Sequence, residues 1–460
     1  PSLARISKHM KGRAMCEVFG AYGWAEIGGD MKWLLDHLLV RGVNHFVPHA
    51  FSPQFPDPDC PPHFGADDKD PQYEAFSHLM NYGNKIATLL YGGSPVCDAA
   101  LLYTAESEWM SPADRVDRMH QPARILYDNN IDFDILPMDV LSQDPESTLY
   151  TAEVSQKVLT VGPNHYKVLI IPPVEHVPQW VLDRLTQLQN QGANILWLGK
   201  DLSPEELLPR LRSLIEPDIS VSGTREFLRS CHYSDQENDV YMFVNESLSV
   251  QADCQVHLKG IGTRRGLMLD LLNNEVCIIE AKDGKIALSL APNQSCLVIF
   301  GDTDCDCFPQ KRNWARKAEA AFTFRIDIAS HENMVEFQLY AAEAQSGNLP
   351  CVTSLDRQPS FSGKIRYTAS FTGDNLAHQT QLGLDLGKVG DSARIILNGE
   401  DLGMRITTPY RFDLTGKVRK GENTIVIETA NTLANAIQDY FSGYMAIHPA
   451  GLSEKIHWLF

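Results

Sequence analysis

The hydrophobic pattern changes its period twice along the 460 residues. In the first 93 residues the order is strand, helix, strand, helix. Residues 14–19 form an apolar, strand-like run, after which Met31, Leu34, Leu35, Leu38 and Leu39 recur at helical spacing until Gly42 ends them. Residues 43–51 read as a second strand. Past a loop holding Pro53, Pro56, Pro58, Pro61 and Pro62, residues 73–90 are helical again. Two such βα units cannot close a sheet by themselves. In residues 94–223 the apolar runs become almost continuous, at 98–104, 131–137, 166–173 and 193–199, with helices such as 179–191 between them. That is the pattern of a parallel sheet covered on both faces.

From residue 224 onward the period is two. The stretches 239–247, 252–260, 264–275 and 285–301 alternate between turn residues, which predicts a small antiparallel β-sandwich over 224–304. A linker at 302–313 leads into a last all-β region, 313–460, whose strands hang on the turns Asn398-Gly399 and Lys420-Gly421-Glu422-Asn423. The fold class is therefore multidomain, α/β followed by all-β.

Composition narrows the function more by exclusion than by indication. Hydrophobic residues at 43% and charged residues at 21% are ordinary globular values. The net charge of −18 argues against a nucleic-acid or anionic-membrane partner and otherwise serves solubility. No apolar run approaches the roughly 20 residues needed to cross a bilayer. Ten scattered cysteines lack the spacing of a disulfide framework, which favours a reducing, cytoplasmic compartment. Cys305 and Cys307 have no second pair or histidine cluster nearby to complete a zinc site. The chain opens on Pro1 with amphipathic residues and no signal peptide to read, as a fragment starting inside a domain would.

Glu17 is the sharpest chemical candidate. Strand alternation sets it on the face of Met15 and Phe19, so it must sit in a polar cavity or be neutralised in a core, for instance by Arg13. On the second strand His45 and His49 share a parity; His45 suits a satisfied core position, and His49 lies at the strand's end, where βα barrels collect catalytic groups. Tyr22 and Trp24 suit a sugar platform, since a pyranose offers an apolar face and a rim of hydroxyls, although loop aromatics also simply cap barrels. Glu106, Glu108 and Trp109 follow the first strand of the second region, where open sheets bind ligands. Acids there also suit a helix N-terminus, and residues 111–114 look like a helix start.

The string CEVFGAYGWAEIGGDMKWLLDHLLVRGVNHFVPHAFSP, residues 16–53, resembles the end of the catalytic barrel in glycoside hydrolases of the family 2 and family 42 type, most closely the α-L-rhamnosidases of family 106. The later regions resemble the flavodoxin-like domain of family 42 β-galactosidases and, in ILNGEDLG and PYRFDLTGKVRKGEN, the galactose-binding-like jelly roll of family 2 enzymes. The resemblance implies the end of a (β/α)8 barrel over 1–93, a flavodoxin-like domain over 94–223, a small sandwich, and a jelly roll over 313–460. It implies that Glu17 stands on the seventh strand as nucleophile or general base, with Tyr22, Trp24, His49, Glu106 and Trp109 around the sugar. The first six strands, and the general acid usually carried by the fourth, are then absent from the chain, which alone should be nearly inactive. Family 106 members use calcium, for which the acids of residues 57–70 could be imagined as a site, although no ligand spacing demands it.

The implied partner is an oligosaccharide or glycoside, with a homo-oligomer left open. The rival readings are a non-catalytic carbohydrate-binding or structural module, and an esterase- or amidotransferase-like enzyme on the second region. The last lacks its markers, since there is no G-x-S-x-G elbow and Cys97 precedes its strand.

Overall fold

The computed structural model describes residues 13–460 apart from 114, 145, 147, 149, 236, 303, 311, 313 and 315. The amphipathic start of the chain and Asp114, expected in a helix start, lie outside the described residues.

The first region is β1 (Met15–Val18), α1 (Gly28–Leu39), β2 (His45–Pro48) and α2 (Tyr73–Tyr91). β1 and β2 pair in parallel, Met15 opposite His45 and Glu17 opposite Val47. Among the described residues neither strand has a neighbour on its outer edge. Their two faces differ as sharply as their edges. Val18, Cys16 and Phe46 pack towards the helices, against a core that holds Met31, Leu35, Leu79 and Tyr82. Met15, Glu17, His45 and Val47 point the other way and are exposed, Met15 at 61% and Val47 at 45%. Proteins rarely leave apolar strand residues and two sheet edges uncovered together. β2 is shorter than the expected 43–51, because Pro48 gives no N–H to a ladder with no third strand behind it.

α1 is held along its whole length by other parts of the chain. Its buried positions are not only the expected Met31, Leu35 and Leu39 but also Lys32 and Asp36. These two pair at 2.6 Å, Lys32 also donates to the carbonyl of Asn293, and Tyr82 donates to Asp36 and meets Ser295 Oγ at 2.7 Å. At its start Ile27 offers no side-chain cap, so Asp391, from the last region, accepts from the Gly28 N–H at 3.0 Å. At its end Arg41, His37 and Trp33 all bond to Glu246.

The second region contains a four-stranded parallel sheet in the order Ile195–Trp197, Val168–Ile171, Ala99–Tyr103, Phe133–Pro137. Counted along the chain this is 4-3-1-2. The central strands are buried at every position from Ala99 to Leu102 and from Val168 to Ile171, as the continuous apolar runs required. The run at 166–173 divides, however, because Asn164–Tyr166 belongs to a small antiparallel sheet with Val158–Val161 and Glu153–Ser155.

The ends of this region belong elsewhere. Ser94–Pro95 and Ile219–Thr224, grouped with the α/β residues on sequence, pair with strands of the following sandwich. Its six-stranded sheet runs Glu275–Ala281, Arg264–Asp270, Ser295–Phe300, Asp239–Asn245, Leu228–Ser234, Ser94–Pro95, and its three-stranded sheet runs Ile219–Thr224, Ala252–Leu258, Lys285–Leu290. All are antiparallel, with Tyr241, Phe243, Val256 and Phe300 buried between them.

The last region is also two antiparallel sheets, one of six strands centred on Gly363–Thr372 and Glu422–Ala430, one of four that includes Gly383–Asp385 and His457–Leu459. Asn398 and Gly399 both take positive φ, 52° and 85°, in the two-residue hairpin that the sequence predicted.

Candidate active site

Glu17 is the third of four residues in β1, exposed on the open face beside Val47, and its carboxylate has no hydrogen-bond partner among the described residues. It is not sealed in a core. Nor does Arg13 neutralise it: that guanidinium lies 3.4 Å from His45 Nδ1 and over the Tyr91 ring. His45 is therefore an exposed residue of the open face, not the satisfied core histidine expected.

Beyond Val18 the backbone takes positive φ at Phe19 and Ala21, 74° and 66°. His49, bonded through its N–H to Val18 O at 2.8 Å, packs its ring on Gly20, where a Cβ would come within 3.0 Å. Its Nδ1 is buried without a partner, as is that of His63, whose ring is 6.2 Å away. Tyr22 is 40% exposed at the edge of this loop, as a sugar-contacting residue must be. Trp24 is not. It is buried to 3%, edge-on to His63 and Phe55, with Leu433 and Ala434 against it.

The reason lies 415 residues away. Asp439 Oδ2 accepts from the Trp24 N–H at 3.2 Å, and Ser442 Oγ accepts from the Ala25 N–H at 3.0 Å. A segment of the last region thus covers the indole and clamps the loop that follows β1, with no local sequence signal to announce it. The clamp requires Gly23, whose φ is +85° and where a Cβ would stand 2.3 Å from the Ser442 nitrogen. Gly23→Ala is expected to destabilise the chain by about 2 kcal/mol, which a denaturant titration measures, and to loosen the loop.

Three carboxyls lie buried where α1 meets the last region; the sequence reading missed Glu26 and Asp391 and took Asp70 only as one of a loop of acids. Glu26 is wholly buried with neither oxygen bonded; burial, and behind it the charge of Asp30, push its carboxyl up to about 9. Burial pushes Asp70 up to about 7, against the pull of the Gln72 N–H. It pushes Asp391 up to about 6, against the donors Gln72 and Gly28. Each acid holds its proton in the folded chain at pH values where the unfolded chain has released it. Stability from these groups is therefore full below about pH 4 and falls as pH rises towards their folded values. Melting temperature is expected to drop by several degrees between about pH 5 and pH 8, with a shallower slope in Asp70→Asn and Asp391→Asn.

Among the described residues, Glu106 and Trp109 do not join this site through any hydrogen bond, ion pair or ring contact. They stand on the helix Ala105–Met110, which begins immediately after its strand, so Glu106 and Glu108 occupy that helix's own first turn. Trp109 is 80% exposed. The acids of 57–70 do not converge either. Asp57 accepts from Ser52 and the Asp59 N–H, Asp70 from the Gln72 N–H, and no group of three or more metal-ligating side chains forms among the described residues. They do not fit a calcium ion.

No family model matches the chain. Its fold superposes on that of a rhamnosidase from Novosphingobium sp. PP1Y with a TM-score of 0.70 and 18% identity, over 96% of this chain and 46% of that one. A stretch of 79 residues, 17% of this chain, is 35% identical to 7% of a Formosa agariphila protein named "Putative beta-glucuronidase". A GH42 β-galactosidase from G. stearothermophilus superposes over 65% of this chain and 60% of its own with a TM-score of 0.41 and 11% identity, too loosely to carry an argument. The chain spans less than half the length of the rhamnosidase and a small part of the curated relative. Over nearly all of its length the chain shares the fold of part of that rhamnosidase.

Proposed function

We propose that this chain is the C-terminal part of a glycoside hydrolase, with β1 and β2 as the last two strands of a (β/α)8 barrel and the later regions as its flavodoxin-like, sandwich and jelly-roll domains. The observation that carries this reading is the β1–β2 pair itself. Among the described residues it is parallel, open at both edges, and bare on the face that bears Glu17, while its other face is packed. Preceding strands of a longer protein would cover those edges and enclose Glu17 in a barrel mouth, near the strand ends where barrel enzymes place their chemistry.

In that setting Glu17 attacks the anomeric carbon directly, or takes a proton from the water that does so. The choice depends on its separation from the acid that protonates the leaving group, about 5 Å for retention and roughly 6.5–9.5 Å for inversion. That acid belongs to an earlier strand. His49, wedged against Gly20, and the exposed Tyr22 shape the sugar subsite, and the substrate is a glycoside of the rhamnoside type. Turnover of aryl rhamnosides, galactosides and glucuronides by a longer protein that includes the preceding strands, with none by the 460 residues alone, tests the reading. Robust turnover by the short chain contradicts it.

A further inference from the structure

The segment that clamps the loop after β1 also presents two tyrosines to solvent. Tyr440 precedes the short turn Phe441–Tyr444 and Tyr444 closes it, and each is 75% exposed. Scattered surface aromatics need no explanation, but these two are built as a pair. Their hydroxyls meet at 2.7 Å and their rings stand edge to face at 5.7 Å. The turn beneath them is fixed from both sides. Asp439 accepts from the Ser442 N–H at 2.8 Å and from Trp24, and Ile437 and Met445 pack on the cluster around Trp24. Rings held this way lose little entropy when a ligand settles on them.

Their position follows from the bonds already described. Ser442, between them in sequence, touches the backbone of Gly23 and Ala25, and Tyr22 is the next residue along that loop. The last region therefore delivers two rigid, wet aromatic rings to the loop that leads away from Glu17. We infer that Tyr440 and Tyr444, together with Tyr22, form a saccharide subsite at the mouth of the Glu17 strand, supplied by the last β-region and taking the apolar face of a pyranose. The inference rests on the glycosidase reading for which mouth this is, and on the exposed pair for the ligand.

The probes are methyl α-L-rhamnopyranoside, methyl β-D-galactopyranoside and methyl β-D-glucuronide, titrated into the 460-residue chain carrying ¹³C-labelled tyrosine. At least one glycoside is expected to shift ring resonances of Tyr440 and Tyr444 saturably, and Tyr440→Ala or Tyr444→Ala to weaken its binding by about tenfold. Reading the shifts on the unaltered chain keeps the test valid even if an alanine variant misfolds. No shift with any of the three, or binding unchanged in both folded variants, overturns the subsite. The catalytic reading is tested separately, by turnover of a Glu17→Gln variant, so either can fail alone.

Discussion

Glu246→Ala is expected to destabilise the chain by about 3–5 kcal/mol, more than any other single truncation of a charged side chain considered above. Its carboxylate is 8% exposed and receives Arg41, His37 at 2.9 Å and Arg229 at 3.2 Å. Burial would raise this acid, but the hydrogen bonds from His37 and Arg41 hold it at about 2. The three partners come from two regions, and the third region joins through Arg229, which reaches Asp128 at 3.1 Å, and Arg41, which covers the Tyr127 ring. Removing Glu246 leaves two guanidinium groups, 17% and 12% exposed, without their shared anion. That desolvation is the source of the loss. By contrast, Arg124→Ala, which breaks an exposed pair with Asp128, should change stability by less than about 1 kcal/mol. Denaturant unfolding followed by fluorescence and circular dichroism distinguishes the two. Because Glu246 is depressed, its contribution is present above about pH 4.5 and is lost only as pH falls towards 2.

What the sequence made legible was periodic. β1, α1, β2 and α2, the four parallel strands, and the Asn398-Gly399 hairpin all announce themselves through spacing or turn chemistry within a few residues. Pairing between distant segments does not. Ser94–Pro95 carries no mark that it will edge a sheet with Tyr233 and Ser234. Nor could helical spacing reveal that Lys32 and Asp36 face inward, because Lys32 bonds to Asn293, 261 residues away, and Asp36 to Lys32 and to Tyr82 on the next helix. The candidate site divides in the same way. Glu17 stood out because a carboxylate in an apolar strand must be explained. Trp24 suggested a platform and is buried, since the Asp439–Ser442 clamp that covers it is visible only in three dimensions. Glu26, flanked by Ala25 and Ile27, gave the same kind of signal as Glu17 but sat in a loop, where an acid passes for a surface residue.

The other large effect expected is kinetic. In a longer protein whose barrel is complete, Glu17→Gln should lower kcat by about a thousandfold with little change in KM. Glutamine keeps the size and much of the hydrogen bonding of the side chain but can neither attack the anomeric carbon nor accept a proton from water. A positioning role would instead move KM, or kcat by a few-fold. Three features favour the chemical role: exposure on the open face, freedom from Arg13, and the nearby strand end, where the His49 N–H bonds to Val18 O. Among the described residues the side chain makes no hydrogen bond or ion pair that its loss would release, so the variant is expected to melt at the temperature of its parent.

The most direct measurement is therefore turnover of an aryl rhamnoside by the longer protein with and without Glu17→Gln, both shown to be folded. The account predicts a parent that turns over and a variant slower by about three orders of magnitude; a variant within a few-fold of its parent would contradict it.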